Sequence, residues 1–145
     1  MTSTTPVSEG EELTPTEIET GLSQAIRYAG MTWDAPPFIF SEEAAKAMGM
    51  PGRLVPGPLK LCLLADAVER WLDGRGFVRH VRAAQRRPDI QGDPITILGR
   101  VTRVYEEDGH ARADLEVFIQ NIRGEPSTRG FAVVQLNPGM ALVSA

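Results

Sequence analysis

The sequence predicts an α+β domain in which an antiparallel sheet curls around one long apolar helix. Three observations predict it. The stretch from Gly57 to Leu72 is the longest apolar-rich run and has helical periodicity. Four alternating stretches of strand length come after it, and short turn sequences separate them. One apolar helix and then a run of strands calls for helix and sheet to cover each other.

The helix is framed by Pro58 in its first turn and Gly74 just past its end. Leu61, Leu64, Ala65, Val68, Trp71 and Leu72 recur at helical spacing, while Lys60, Asp66, Glu69, Arg70 and Asp73 leave a polar stripe. Leu63 and Ala67 widen the apolar face. Cys62, the one cysteine of the chain, has no disulfide partner and no metal-ligand spacing around it. It is expected to be a small buried hydrophobe.

Ahead of this helix, residues 1–12 are Ser, Thr, Glu and Gly with little that is apolar, and are expected to form a flexible tail. Residues 13–145 then form a single domain. Thr14-Pro15-Thr16-Glu17 reads as a helix start, and Ile18, Leu22, Ile26 and Ala29 share one helical face up to Gly30. Trp33, Asp34 and the Pro36-Pro37 pair require an extended or turning segment. Ser41 is placed to cap a short helix with Glu42 and Glu43 in its first turn.

Behind the helix, strands are predicted over residues 77–85, 94–106, 110–121 and 129–136. On the second, Ile95, Ile97, Val101 and Tyr105 share one face, with Leu98 and Val104 opposite. On the third, Ala111, Ala113, Leu115, Val117 and Ile119 face together. Glu107-Asp108-Gly109 and Arg123-Gly124-Glu125 are turns.

At 145 residues the chain is long enough to bury a core, and 42% hydrophobic with 23% charged residues is ordinary globular composition. A net charge of −4 gives no electrostatic reason to bind nucleic acid or an anionic membrane surface. No apolar run reaches membrane-spanning length, and a cytoplasmic protein is expected. His80 and His110 are isolated and expected at the surface. No metal is expected, because no metal-ligand spacing occurs.

Several stretches taken together resemble the MaoC-like (R)-specific enoyl hydratase and dehydratase family, whose hot-dog fold wraps an antiparallel sheet around a central helix. They are Ile26-Arg27-Tyr28-Ala29 with Asp34 beyond it, the run Glu42 to Gly52, Val55-Pro56-Gly57, Gln91 to Thr96, Gly99-Arg100-Val101, and the turn Gln120 to Glu125. The resemblance spans about Ile26 to Leu136. The family's hydratase motif is Asp, any residue, Asn, Pro, an aliphatic residue, then His. Laid on this chain it puts the Asp on Asp34, the Asn on Pro36, the Pro on Pro37 and the His on Ile39, with later Ala and Gly positions on Ala45 and Gly49. The His that usually precedes the helix-opening Gly is Pro56.

Hydration or dehydration of an enoyl thioester needs one group for the water proton and one for the proton on the α-carbon. Isoleucine serves neither purpose, so the resemblance leaves Asp34 as the catalytic residue. Beside Trp33, Phe38, Ile39 and Phe40, its carboxyl could be shifted upward by desolvation; a turn cap or a partner for an arginine is the plainer alternative. The resemblance further places the substrate's carbonyl at the amino end of the central helix, with Trp33, Phe38, Phe40, Pro56, Gly57 and Leu59 around it. Free N–H groups there favour negative charge, although Pro56-Gly57-Pro58 is equally a simple helix-start turn. Arg79, Arg82, Arg86 and Arg87 are placed either to meet the phosphates of coenzyme A or of a phosphopantetheine arm, or to keep a strand edge soluble.

Two classes of function are consistent with these residues. One is an enzyme of acyl thioesters, a hydratase or dehydratase or, with a single acid, an isomerase or cyclase; no cofactor is expected beyond the coenzyme A or phosphopantetheine of the substrate. The other is a non-catalytic acyl-binding subunit whose partner carries the Asp and His. Either implies a homodimer or a heterodimer with a second hot-dog subunit.

Overall fold

The computed structural model describes residues 5–144. Its elements in chain order are β1 (Val7–Ser8), β2 (Thr16–Glu19), α1 (Leu22–Thr32), α2 (Pro37–Phe40), α3 (Glu42–Ala47), α4 (Gly57–Leu72), β3 (Gly76–Gln85), β4 (Pro94–Glu107), β5 (His110–Gln120), β6 (Pro126–Leu136) and β7 (Leu142–Val143). A five-stranded antiparallel sheet has the order β2-β4-β5-β6-β3, and β1 and β7 form a separate parallel pair.

The central helix covers the expected residues, and its buried row is Lys60, Leu64, Val68 and Leu72. The last three pack on Ile95, Ile97, Val101, Leu115, Val117, Ile119, Ala132 and Val134 from the inner face of the sheet. Helix and sheet approach closely at Gly130, where a Cβ would stand 3.0 Å from Leu64 Cδ1. Two expectations for this helix are corrected. Lys60 belongs to the buried row, at 1% exposure, rather than to the polar stripe. Cys62 is exposed, because it and Leu61 turn away from the row that meets the sheet.

The expected helix over residues 14–30 is replaced by strand β2 and then α1. Ile18 pairs with Ile95 in the sheet, and Gly21 becomes the N-cap of α1 rather than a weak interior residue. Four residues suffice for a sheet edge, and pairing with β4 outweighs a local helix signal. Ser41 caps α3 as expected, its Oγ accepting from Ala44 N at 3.1 Å.

The flexible tail is also corrected for residues 5–12; residues 1–4 lie outside the described residues. Val7 is fully buried, and Gly10 N donates to Val101 O at 2.9 Å. The acids that suggest a solvated tail are its fastenings. Glu11 Oε1 accepts from Trp71 Nε1 at 2.9 Å and from Arg75 at 3.1 Å, and Arg75 lies over the Trp71 ring. Glu9 Oε1 accepts from Val104 N at 3.0 Å.

A register shift in β4 between Val101 and Arg103 reverses the expected facing of the residues beyond it. Val104 enters the core at 7% exposure, and Tyr105 leaves it. Tyr105 Oη donates to Asp114 Oδ1 at 2.9 Å. Burial first, then the hydrogen bond and charge of Asp114, hold this phenol above its ordinary range, against the opposing charges of Arg112 and Arg103. A raised folded value stabilises the fold fully below the unfolded phenol's pKa of about 10 and is lost as pH rises through the folded value. Denaturant unfolding at increasing alkaline pH should therefore fall less steeply in Tyr105→Phe than in the wild type. Equal slopes would show that Tyr105 carries none of the dependence.

Candidate functional site

Helix α4 starts at an extended Pro56, with Gly57 and Pro58 as its first residues. Pro58 has no N–H, and Lys60 N already donates to Pro56 O at 3.3 Å, which leaves the N–H groups of Gly57 and Leu59 in the first turn. A cavity of about 390 Å³ opens here, and Phe38, Gly57, Lys60, Gln85 and Arg87 are among its lining residues. A Cβ at Gly57 would meet the side-chain amide of Gln85, an exposed residue whose flexible end can move aside.

Of the residues singled out in the sequence, the structure brings Phe38 and Gly57 together at this cavity. Pro56 and Leu59 are buried at the same helix start. Phe40 closes α2 and is half-buried. Ile39, at the family's His position, is 1% exposed and part of the interior. Trp33 and Asp34 lie elsewhere, at the carboxyl end of α1. Trp33 is its left-handed C-cap at φ 57° and is 93% exposed, beside a smaller pocket with Ala29, Gly30 and Ala35. Asp34 is exposed, and its N–H donates to Thr32 Oγ1 at 3.4 Å. The enclosure that desolvation of Asp34 would need is not supplied by Trp33. The Tyr28 hydroxyl is held above its ordinary range, first by burial, then by Cys62 and, more weakly, by Asp34; Thr32 acts in the opposite sense.

The arginine run lies along exposed β3 and the loop after it. Arg79 donates to Gln135 Oε1 at 2.8 Å and Arg82 lies over the Phe131 ring at 5.1 Å, while Arg86 and Arg87 reach the cavity. His80 and His110 are exposed. Among the described residues, no three His, Cys, Asp or Glu side chains gather as a metal site, and no helix is long and apolar enough to cross a membrane.

Sequence reasoning missed a buried polar cluster at the cavity. Lys60 Nζ lies 2.9 Å from Asp89 Oδ2 and donates to Arg87 O at 3.1 Å. Ser127 Oγ donates to the same Asp89 oxygen at 2.7 Å. Lys60, Asp89 and Ser127 are 1%, 3% and 0% exposed. The signal for Lys60 was its spacing of four from Leu64, in line with Val68 and Leu72; Asp89 and Ser127 carry no local signal.

No protein-family model matches the chain, and no curated protein matches it. Solved structures do. The (R)-hydratase from A. caviae involved in PHA biosynthesis superimposes with a TM-score of 0.81 at 22% identity, over 89% of this chain and 96% of that one. A chain of the ChsH1-ChsH2 complex from Mycobacterium tuberculosis gives 0.79 at 17% identity, over 89% and 98%. A chain of the C-terminally truncated HadBC (3R-hydroxyacyl-ACP dehydratase) complex from the same organism gives 0.74 at 22%, over 88% and 96%. With its curled sheet, strand order and central helix, the chain has the hot-dog fold and shares it with these solved structures.

Proposed function

We propose that this chain binds an acyl thioester, carried on coenzyme A or on the phosphopantetheine of an acyl carrier, and takes part in hydratase- or dehydratase-type chemistry within a pair of hot-dog subunits. The observation that carries this reading is the cavity at the amino end of α4, where Phe38 and Gly57 share the lining with Arg86 and Arg87, the last also 3.9 Å from Glu125 Oε2. Helix N–H groups suit a carbonyl oxygen that gains negative charge, and the arginines suit phosphates. Phe38 and Gly57 line the acyl site, and Pro56 and Leu59 shape the helix start. Fold alone does not assign chemistry, but the solved neighbours include an (R)-hydratase and a 3R-hydroxyacyl-ACP dehydratase complex.

A second subunit belongs to this reading. Strand β3 is an edge of the sheet with Phe77 51% exposed, and Ile26, Met31 and Trp33 stand 52%, 82% and 93% exposed. A sheet edge and apolar residues left in this way call for a cover. Asp34, beside Trp33, is the proposed acid–base group, and Trp33 and Phe40 border the site once a partner encloses it. Two of the solved neighbours are two-component complexes. The buried Ile39 and the separation of Asp34 from the cavity favour a second reading, in which the chain binds the acyl group and its partner supplies the proton-transfer residues.

The test is turnover of crotonyl-CoA and 3-hydroxybutyryl-CoA by the purified chain. Asp34→Asn should lower kcat/KM about 10²- to 10⁴-fold with little change in KM. Activity that survives the substitution removes Asp34 from the mechanism. A chain inactive alone, yet required for turnover by a hot-dog partner with an intact Asp and His, establishes the second reading.

A further inference from the structure

Lys60 heads the described residues in size among fully buried side chains. An ammonium is held in an apolar helix row only against a desolvation cost, and an apolar side chain of similar volume would pack as well. Its surroundings do not saturate it. Asp89 and the Arg87 carbonyl take two of its three N–H donors. Asp89 is unsaturated too, for its Oδ1 is buried and has no hydrogen-bond partner. The pair also stands between two cavities: Lys60 lines the one at the amino end of α4, Asp89 lines another of about 170 Å³, and Pro88 borders both.

The need for charge at this place comes from Pro58. A carbonyl oxygen seated at the helix start finds no N–H from that residue. We propose that Lys60 supplies the positive charge that stabilises an oxyanion at the amino end of α4, with Asp89 and Ser127 as positioning residues. This rests on the acyl-thioester reading of the same cavity. The proton stays on Nζ throughout; Lys60 donates a hydrogen bond to the oxygen of an enolate and forms no bond to carbon. Such a donor costs no reorganisation, because two protein acceptors already fix its direction.

Acetoacetyl-CoA tests this directly, because its enolate absorbs in the near ultraviolet and its keto form does not. At saturation and fixed pH, the wild-type chain should raise the enolate fraction of the bound ligand by ~10-fold or more over free solution. Lys60→Met combined with Asp89→Leu removes the charge without leaving a buried partner alone; it should still bind the ligand, with the enolate fraction back at the free value. Ser127→Ala keeps the charge and should reduce the enhancement about 3-fold through looser positioning of Asp89. An equal enolate fraction in the wild type and the double variant overturns the role of Lys60 and leaves the thioester reading standing. An undiminished enhancement in Ser127→Ala overturns the positioning role, and decides that point even where the double variant fails to fold. If the wild type, in its hot-dog pair, binds neither acetoacetyl-CoA nor acetoacetyl-pantetheine, the thioester reading fails and this inference falls with it.

Discussion

Asp89→Leu alone is expected to cost about 3–5 kcal/mol of unfolding free energy, and Lys60→Met alone a similar amount, because each leaves one buried charge without its partner. The two together should return the chain to within about 2 kcal/mol of the wild type, since an apolar pair of similar volume replaces the ions. The remaining cost is that of the Arg87 carbonyl and the Ser127 hydroxyl, which lose bonds of 3.1 and 2.7 Å. Urea unfolding of the four proteins gives the coupling directly. Single substitutions that each cost less than about 1 kcal/mol would mean that water reaches the pair. The measurement matters beyond stability, because it separates the cost of housing the charge from what the charge does in the cavity.

The second large effect concerns the helix that the sheet encloses. Leu64→Ala should destabilise by about 2–5 kcal/mol, the range for a fully buried leucine whose surroundings cannot collapse. Collapse is opposed here because Gly130 already lets the backbone of β6 come close to Leu64, leaving no side chain there to move into the space. Leu61→Ala, at a position 37% exposed, should cost within about 1 kcal/mol in the lone chain. Equal losses at the two positions would contradict the facing of α4.

These two experiments also mark what the sequence reveals and what it hides. The helix and the four strands after it are legible because their periodicities are long and uninterrupted, and the inner face of β5 runs as expected from Ala111 to Ile119. Strand β2 is not legible. Its four residues are too few to show a period, and its stability comes from β4, far along the chain. The facing of Val104 and Tyr105 is hidden by one extra residue at Thr102, which alternation alone does not reveal. At the site, Gly57 and Phe38 are legible from the helix start and from the family pattern. Lys60 is misread because its charge suggests solvent while its spacing places it in the buried row. Its partners come from the loop after β3 and from β6, so nothing within a local window discloses the network.

The fastening of residues 5–12 also has a consequence for how the chain is made. Val7 pairs with Leu142, Gly10 bonds Val101, and Glu11 bonds Trp71 and Arg75. Every one of these partners is translated later than the segment that needs it. The segment emerges before all of them and is completed last, after β4 and β7 have arrived. Until then Val7 has no core to enter and Glu11 no cation to meet. In arrested chains that end before Leu142, this segment should be open to protease while the strands already paired are not.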